Sequence, residues 1–195
     1  RRKLCKKWTG QECLAEDRAF NICAGLARAV DKIHSNGGLR HTDLSWKNIL
    51  ADEKTGNVYI IDVDSCHSAG QQEKTAVLGT PGFLAPELLA GKKPTVESDL
   101  YALAKNIYGT LMFDERDNNG ELLYPNGIQS SRFFLGEEVS KGNLRKPDGA
   151  DEQRFKRYGK SIEALFIRAF QKGWDDPQKR PAAEEWVDEL KKQIS

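Results

Sequence analysis

The sequence predicts an α+β fold, mainly α-helical, with one small β-hairpin. Three observations predict it. Apolar residues recur at helical spacing over three long stretches, near 11–36, 94–111 and 161–190. A single short apolar run, Val58-Tyr59-Ile60-Ile61, has β character. The connections between them are polar and marked by Gly and Pro. The 195 residues make one domain, 1–195, long enough to bury a core without disulfides or a metal.

Residues 1–7 hold five basic side chains and read as a solvated face or a frayed end. The first helix runs from about Gln11 to Asn36. Ile22, Leu26, Val30 and Ile33 share one face, and Gly37-Gly38 stop it. A polar loop with one apolar anchor, His41 to Asn48, leads into Ile49-Leu50. The stretches 49–51 and 58–61 flank the turn Asp52-Glu53-Lys54-Thr55-Gly56-Asn57 as a small hairpin. Residues 65–84 have little periodicity. A helix beginning at Pro94-Thr95 carries Leu100, Leu103, Ala104, Ile107, Tyr108 and Leu111, a broad stripe suited to a central, mostly buried position. The stretch 114–160 contains turns and a polar segment and reads as a surface loop or a docking surface. The next helix has Ser161 as N-cap and Gly173 as stop. The last begins with Pro181 at its first position and buries Trp186, Val187 and Leu190.

Composition excludes several function classes. Thirty basic residues against 29 acidic leave a formal charge of +1, which argues against nucleic acid as a partner held by bulk field. No apolar run approaches the roughly 18 residues of a membrane span. Cys5, Cys13, Cys23 and Cys66 form no C-x-x-C pair, and the three His are scattered, so no zinc site is legible. That cysteine usage predicts a reducing, cytoplasmic location. The only methionine is Met112 and the chain opens on Arg1, which predicts further sequence upstream.

The chemistry lies in the order of short motifs. Asp43 stands five positions before Asn48 on a loop leaving a helix, and Asp62 ends the apolar run of the hairpin. A carboxylate and an amide oxygen flanking a hairpin suit Mg²⁺, which takes hard oxygen ligands together with phosphates. Asp43 is then free to orient a hydroxyl or accept its proton. Gly79-Thr80-Pro81-Gly82-Phe83-Leu84-Ala85-Pro86-Glu87 follows, then Asp99, then Asp176-Pro177-Gln178-Lys179-Arg180-Pro181.

This succession resembles the C-terminal lobe of the eukaryotic-type (Hanks-type) protein kinases, over essentially the whole chain. His41-Thr42-Asp43 is similar to the H-R-D of the catalytic loop, 41–48. Asp62-Val63-Asp64 occupies the D-F-G place, and Ala85-Pro86-Glu87 closes an activation segment, 62–87, as the A-P-E. The resemblance implies Ser/Thr phosphotransfer from ATP to a protein substrate. Asp43 would be the catalytic carboxylate, and Asn48 and Asp62 would hold Mg²⁺ on the phosphates. Leu50 would pack under the adenine. Thr80 would hydrogen-bond near Asp43. His41 would be a packed residue rather than a base. Asp99 would accept backbone N–H groups of the catalytic loop. Glu87 and Arg180 would form a buried ion pair, and losing one partner would cost about 3–5 kcal/mol.

Departures and alternatives shape the reading. Thr42 stands where an Arg usually receives a loop phosphate, so the chain reads as a non-RD kinase with weak dependence on phosphorylation of Thr75, the candidate phosphosite, or of Ser68. Ser45 stands where a Lys usually neutralises the γ-phosphate, and Lys47 is placed to supply that charge. Val63 fills an apolar spine position less fully than Phe. Nothing resembles the glycine-rich loop, the β3 Lys or the αC Glu. The N-lobe is expected on the same or a separate chain, and this chain alone is expected to be inactive. A pseudokinase scaffold and a small-molecule kinase are the alternatives.

Overall fold

The computed structural model describes residues 2–3, 16–52, 55–68, 79–80, 82–112, 115–116, 122–123 and 158–194. β1 (Arg2–Lys3) is followed by α1 (Glu16–Ser35), β2 (Ile49–Ala51) and β3 (Val58–Ile60). Then come the short α2 (Pro86–Leu89) and the long α3 (Val96–Met112). A second ribbon pairs β4 (Glu115–Arg116) with β5 (Leu122–Leu123). α4 (Lys160–Ile167) runs through a π turn (Arg168–Lys172) into α5 (Gly173–Asp175), and α6 (Ala183–Lys191) ends the fold.

α1 is the inner wall of the molecule. Ile22, Leu26 and Val30 are each 1% exposed, and α1 packs against α6, α3 and β3. Most of its charged residues face away, and it stops before Gly37-Gly38 as expected. Gly25 is required by contact: a Cβ there would lie 2.7 Å from the Gly56 carbonyl and 3.1 Å from Val58 Cγ2. The hairpin therefore rests directly on the helix backbone.

The hairpin forms over the predicted residues, with Ile49 opposite Ile60 and Leu50 opposite Tyr59. Its outer strand is a correction. Arg2 and Lys3 were expected to fray, yet they pair antiparallel with Ala51 and Leu50, giving a three-stranded sheet in the order β1-β2-β3. An edge strand draws its stability from ladder hydrogen bonds, and charged residues are tolerated there.

α3 is buried all round rather than along one stripe. Leu103, Ala104 and Ile107 are fully buried, and so are the polar Ser98, Asp99, Lys105, Asn106 and Thr110. Thr95 and Ser98 cap its start reciprocally: Thr95 N donates to Ser98 Oγ at 3.0 Å and Ser98 N to Thr95 Oγ1 at 3.3 Å. An aromatic cluster fills the space beside it. Tyr108 meets Phe166 edge-on at 5.1 Å, and Phe166 packs on Trp186 at 4.9 Å.

The C-terminal boundaries correct three expectations. α4 begins at Lys160, with Gly159 rather than Ser161 at the cap. Gly173 does not stop the helix, because it is there for packing. A Cβ at 173 would lie 2.4 Å from Arg180 Cγ and 2.8 Å from the Arg168 carbonyl. α6 starts at Ala183, two residues past Pro181. The N-cap is Ala182, which is extended at φ −62°, ψ 156°, so Pro181 lies outside the helix.

Lys105 is 3% exposed, with its ammonium 5.5 Å from the Tyr101 ring centroid and 5.9 Å from that of Phe170. Burial lowers its pKa well below the ordinary lysine range. Between that lowered value and about 10.4 in the unfolded chain, the unfolded state binds the extra proton. Stability should therefore rise with pH across that window. Lys105→Met lacks this titration, so the wild type is expected to gain on it in melting temperature by about 2–4 °C or more, equivalent to roughly 1 kcal/mol, as the pH rises from 7 to 10. A difference between the two proteins that stays constant over that range would refute this account.

Candidate active site

The site hangs from the first turn of α3. Asp99 is 3% exposed, and both of its carboxylate oxygens are used. Oδ2 accepts from His41 N at 2.7 Å and Oδ1 from Thr42 N at 3.2 Å. His34 Nε2 of α1 lies 3.2 Å from the same Oδ2. These bonds hold Thr42 at φ 62°, a conformation costing a β-branched residue about 1–3 kcal/mol. Asn106 lies seven residues further along α3, two turns up the same face. Its Nδ2 donates to the Leu44 carbonyl at 3.0 Å. One rigid helix thus grips both ends of the 41–44 turn.

Asp43 is half-buried at the centre of this turn. Its Oδ1 accepts from Thr80 N at 2.9 Å, and its Oδ2 accepts from Asn48 Nδ2 at 3.1 Å. The same Asn48 amide donates to the Asp43 carbonyl at 2.9 Å. The Thr80 hydroxyl turns instead to the buried Ser45 hydroxyl at 3.1 Å. A small pocket lies beside Asp43, lined in part by Thr42, Thr80, Phe83, Leu84 and Asp99.

The hairpin brings the next pair together. Ile61 N donates to the Asn48 carbonyl at 2.8 Å, so Asp62 leaves β3 at the end where Asn48 enters β2. Asp62 sits at φ 62°, ψ 48° and is exposed. Asn48 commits its amide nitrogen to Asp43, which turns its Oδ1 away from that residue. Hard oxygens from Asn48 and Asp62 fit Mg²⁺, which keeps waters and phosphates as its remaining ligands. Among the described residues no three His, Cys, Asp or Glu side chains gather as a metal cage. The local field is negative: burial, then the charges of Asp99 and Asp62, push the half-buried Cys66 thiol above its ordinary pKa.

The other predicted residues take varied places. His41 is 1% exposed, with its Nε2 2.9 Å from the Ile61 carbonyl, so that nitrogen carries the proton. Leu50 is half-buried at the middle of β2. Lys47 is exposed, its ammonium 5.3 Å from the Trp46 ring centroid. Val63 was expected to fill an apolar spine position and is instead 61% exposed. Thr75 lies outside the described residues, as does most of 114–160.

Glu87 and Arg180 meet in a bidentate pair at 2.6 and 2.7 Å, 8% and 3% exposed. Arg180 Nε also donates to the Gly173 carbonyl at 2.9 Å and Nη1 to the Glu97 carbonyl at 2.8 Å. Its guanidinium lies 5.1 Å from the Tyr101 ring centroid.

Sequence reasoning missed His34, Arg40 and Asn106. Only Asn106 left a signal, as a second polar residue seven places after Asp99 on an apolar helix face.

Comparison with known proteins places this geometry. Residues 1–189 match the family model of the protein kinase domain. The chain is 31% identical over 139 residues to the hormonally up-regulated neu tumor-associated kinase of Homo sapiens, covering 67% of this chain and 19% of that protein. It is 31% identical over 140 residues to the membrane-associated tyrosine- and threonine-specific cdc2-inhibitory kinase wee-1.3 of Caenorhabditis elegans, covering 68% and 20%. To mitogen-activated protein kinase kinase kinase 17 of Arabidopsis thaliana it is 32% identical over 88 residues, covering 45% and 23%. The match thus spans about a fifth of the length of these relatives.

The buried pair generates a stability prediction. Glu87→Ala or Arg180→Ala alone is expected to cost about 3–5 kcal/mol in denaturant melts, because each strands a buried charge. The double variant Glu87→Ala/Arg180→Ala should be less destabilised than the sum of the single ones. Additive losses would refute the coupling.

Proposed function

The chain belongs to the protein kinase family, and from that premise we propose that it is a kinase catalytic lobe transferring the γ-phosphate of ATP to Ser/Thr hydroxyls of a protein substrate. The observation that carries this reading is the Asp43 carboxylate, fixed from one side by Thr80 N and from the other by the Asn48 amide. A carboxylate so oriented and only half-buried can align a hydroxyl and take its proton late in the transfer.

In this reading Asn48 Oδ1 and Asp62 would hold Mg²⁺, which when bound would neutralise charge on the ATP phosphates. Leu50 would pack under the adenine. Lys47 would offer its charge to the γ-phosphate, in place of the Lys absent at Ser45. His41, Asp99, Thr80, Glu87 and Arg180 position the others. The remaining half of the nucleotide cleft comes from an N-lobe, and without it the 195-residue chain is inactive. Ser and Thr are the hydroxyls supported by Gly79-Thr80. One relative is named tyrosine- and threonine-specific, so Tyr belongs in the substrate panel.

The test uses the intact protein with Mg·ATP and generic protein substrates. Asp43→Ala is expected to lower phosphorylation by about 10²–10⁴-fold, and Asp62→Ala to do so comparably. Wild-type protein without activity, or activity that survives Asp43→Ala, would favour a scaffold role. Phosphorylation of small alcohols or sugars in preference to proteins would favour a small-molecule kinase. For Lys47→Ala, a drop in kcat of about tenfold or more is expected, and an unchanged kcat would exclude Lys47 from the reaction.

A further inference from the structure

Arg40 immediately precedes the catalytic turn, and its bonds go to two separate parts of the chain. Its backbone forms an isolated antiparallel bridge with His67, Arg40 N to the His67 carbonyl and His67 N to the Arg40 carbonyl, both at 2.9 Å. Its guanidinium donates through Nη2 to the Ser68 carbonyl at 2.7 Å and through Nη1 to the Pro94 carbonyl at 2.8 Å. Ser68 lies six residues past Asp62. Pro94 precedes Thr95, which caps α3, and α3 carries the Asp99 that holds His41 and Thr42. The contacts close a ring from the catalytic turn to the 62–87 segment, to the start of α3, and back to the turn.

The chemistry of that ring does not depend on modification. The guanidinium is always charged and presents a rigid fork, which fixes two acceptors relative to each other as an ammonium does not. Both of these acceptors are backbone carbonyls, present in every phosphorylation state. Thr42 offers no cationic side chain to a phosphate on the segment, and a charge-assisted hold of the same kind is supplied two residues earlier.

We propose that Arg40 is a positioning residue that holds the beginning of the 62–87 segment against the catalytic turn, so that the segment is set for catalysis without a phosphate. The effect on turnover rests on the kinase reading. The effect on the segment does not.

The experiment compares intact wild type, Arg40→Gln and Arg40→Lys by amide hydrogen exchange, thermal melting and kinase assay, with and without phosphatase treatment. Arg40→Gln is expected to raise exchange at the Cys66–Ser68 amides by about tenfold or more. It should lower kcat by a similar factor while leaving the KM for ATP within about twofold. Arg40→Lys, able to reach one carbonyl, should recover part of both. Phosphatase-treated wild type should keep its rate within about twofold. Exchange at Cys66–Ser68 unchanged in a folded Arg40→Gln protein would overturn the proposal, as would loss of wild-type activity on phosphatase treatment. If Arg40→Gln does not melt cooperatively, Arg40→Lys decides: raised exchange in a folded protein supports the hold and wild-type exchange overturns it. If the wild type transfers no phosphate, the kinase reading fails, and the exchange measurement alone decides the role of Arg40.

Discussion

One buried carboxylate carries the geometry of the candidate site. Asp99 reaches the 41–44 turn from the most enclosed of the described helices and holds two successive backbone N–H groups. Leaving either donor unsatisfied would cost about 1–3 kcal/mol, and the strained φ of Thr42 would lose its restraint as well. Asp43 inherits its position from that turn, and Asn48 and Thr80 inherit theirs from Asp43. The rigidity of the site is therefore the rigidity of α3, which is surrounded by packed side chains on all faces. His34 extends the same anchor to α1, so the two longest helices meet at a single oxygen atom.

Most of the interactions around Asp43 join a side chain to the backbone. Asp99, Asn106, Arg40 and Asp43 each bind main-chain groups of residues distant in the sequence. Such contacts depend on the path of the chain rather than on the identity of the residue met. Thr42 and Val63, which depart from the family's usual residues, can therefore be accommodated without moving Asp43. Val63 itself, 61% exposed, does not provide the apolar filling expected of it.

The fold was legible where a residue's state depended on its neighbours along the chain. The apolar stripes of α1 and α3 and the run at 58–61 produced elements at the expected places, and the ordered motifs named the family. Boundaries failed where a distant residue decided them. Gly173 reads as a helix stop in sequence, but it is small because Arg180 crosses it. Pro181 reads as a helix start, but the N-cap falls on the extended Ala182 beyond it. β1 has two charged residues and no periodicity to detect. Arg40 and Asn106 escaped notice because their acceptors are carbonyls 54 and 62 residues away, and a carbonyl leaves no mark in a sequence.

The Glu87–Arg180 pair also has a consequence for how the chain reaches this structure. Its partners are 93 residues apart. Bringing the ends of a loop that long together costs about 4 kcal/mol of chain entropy, by the logarithmic scaling of loop closure. A desolvated ion pair returns little net free energy against such a cost. It cannot recruit its own partners from an open chain. The aromatic cluster around α3 and α4 must first bring Arg180 to within reach, and the pair then closes over an assembled core. In folding order it is a latch rather than a nucleus, and its contribution should appear mainly in how slowly the native state opens.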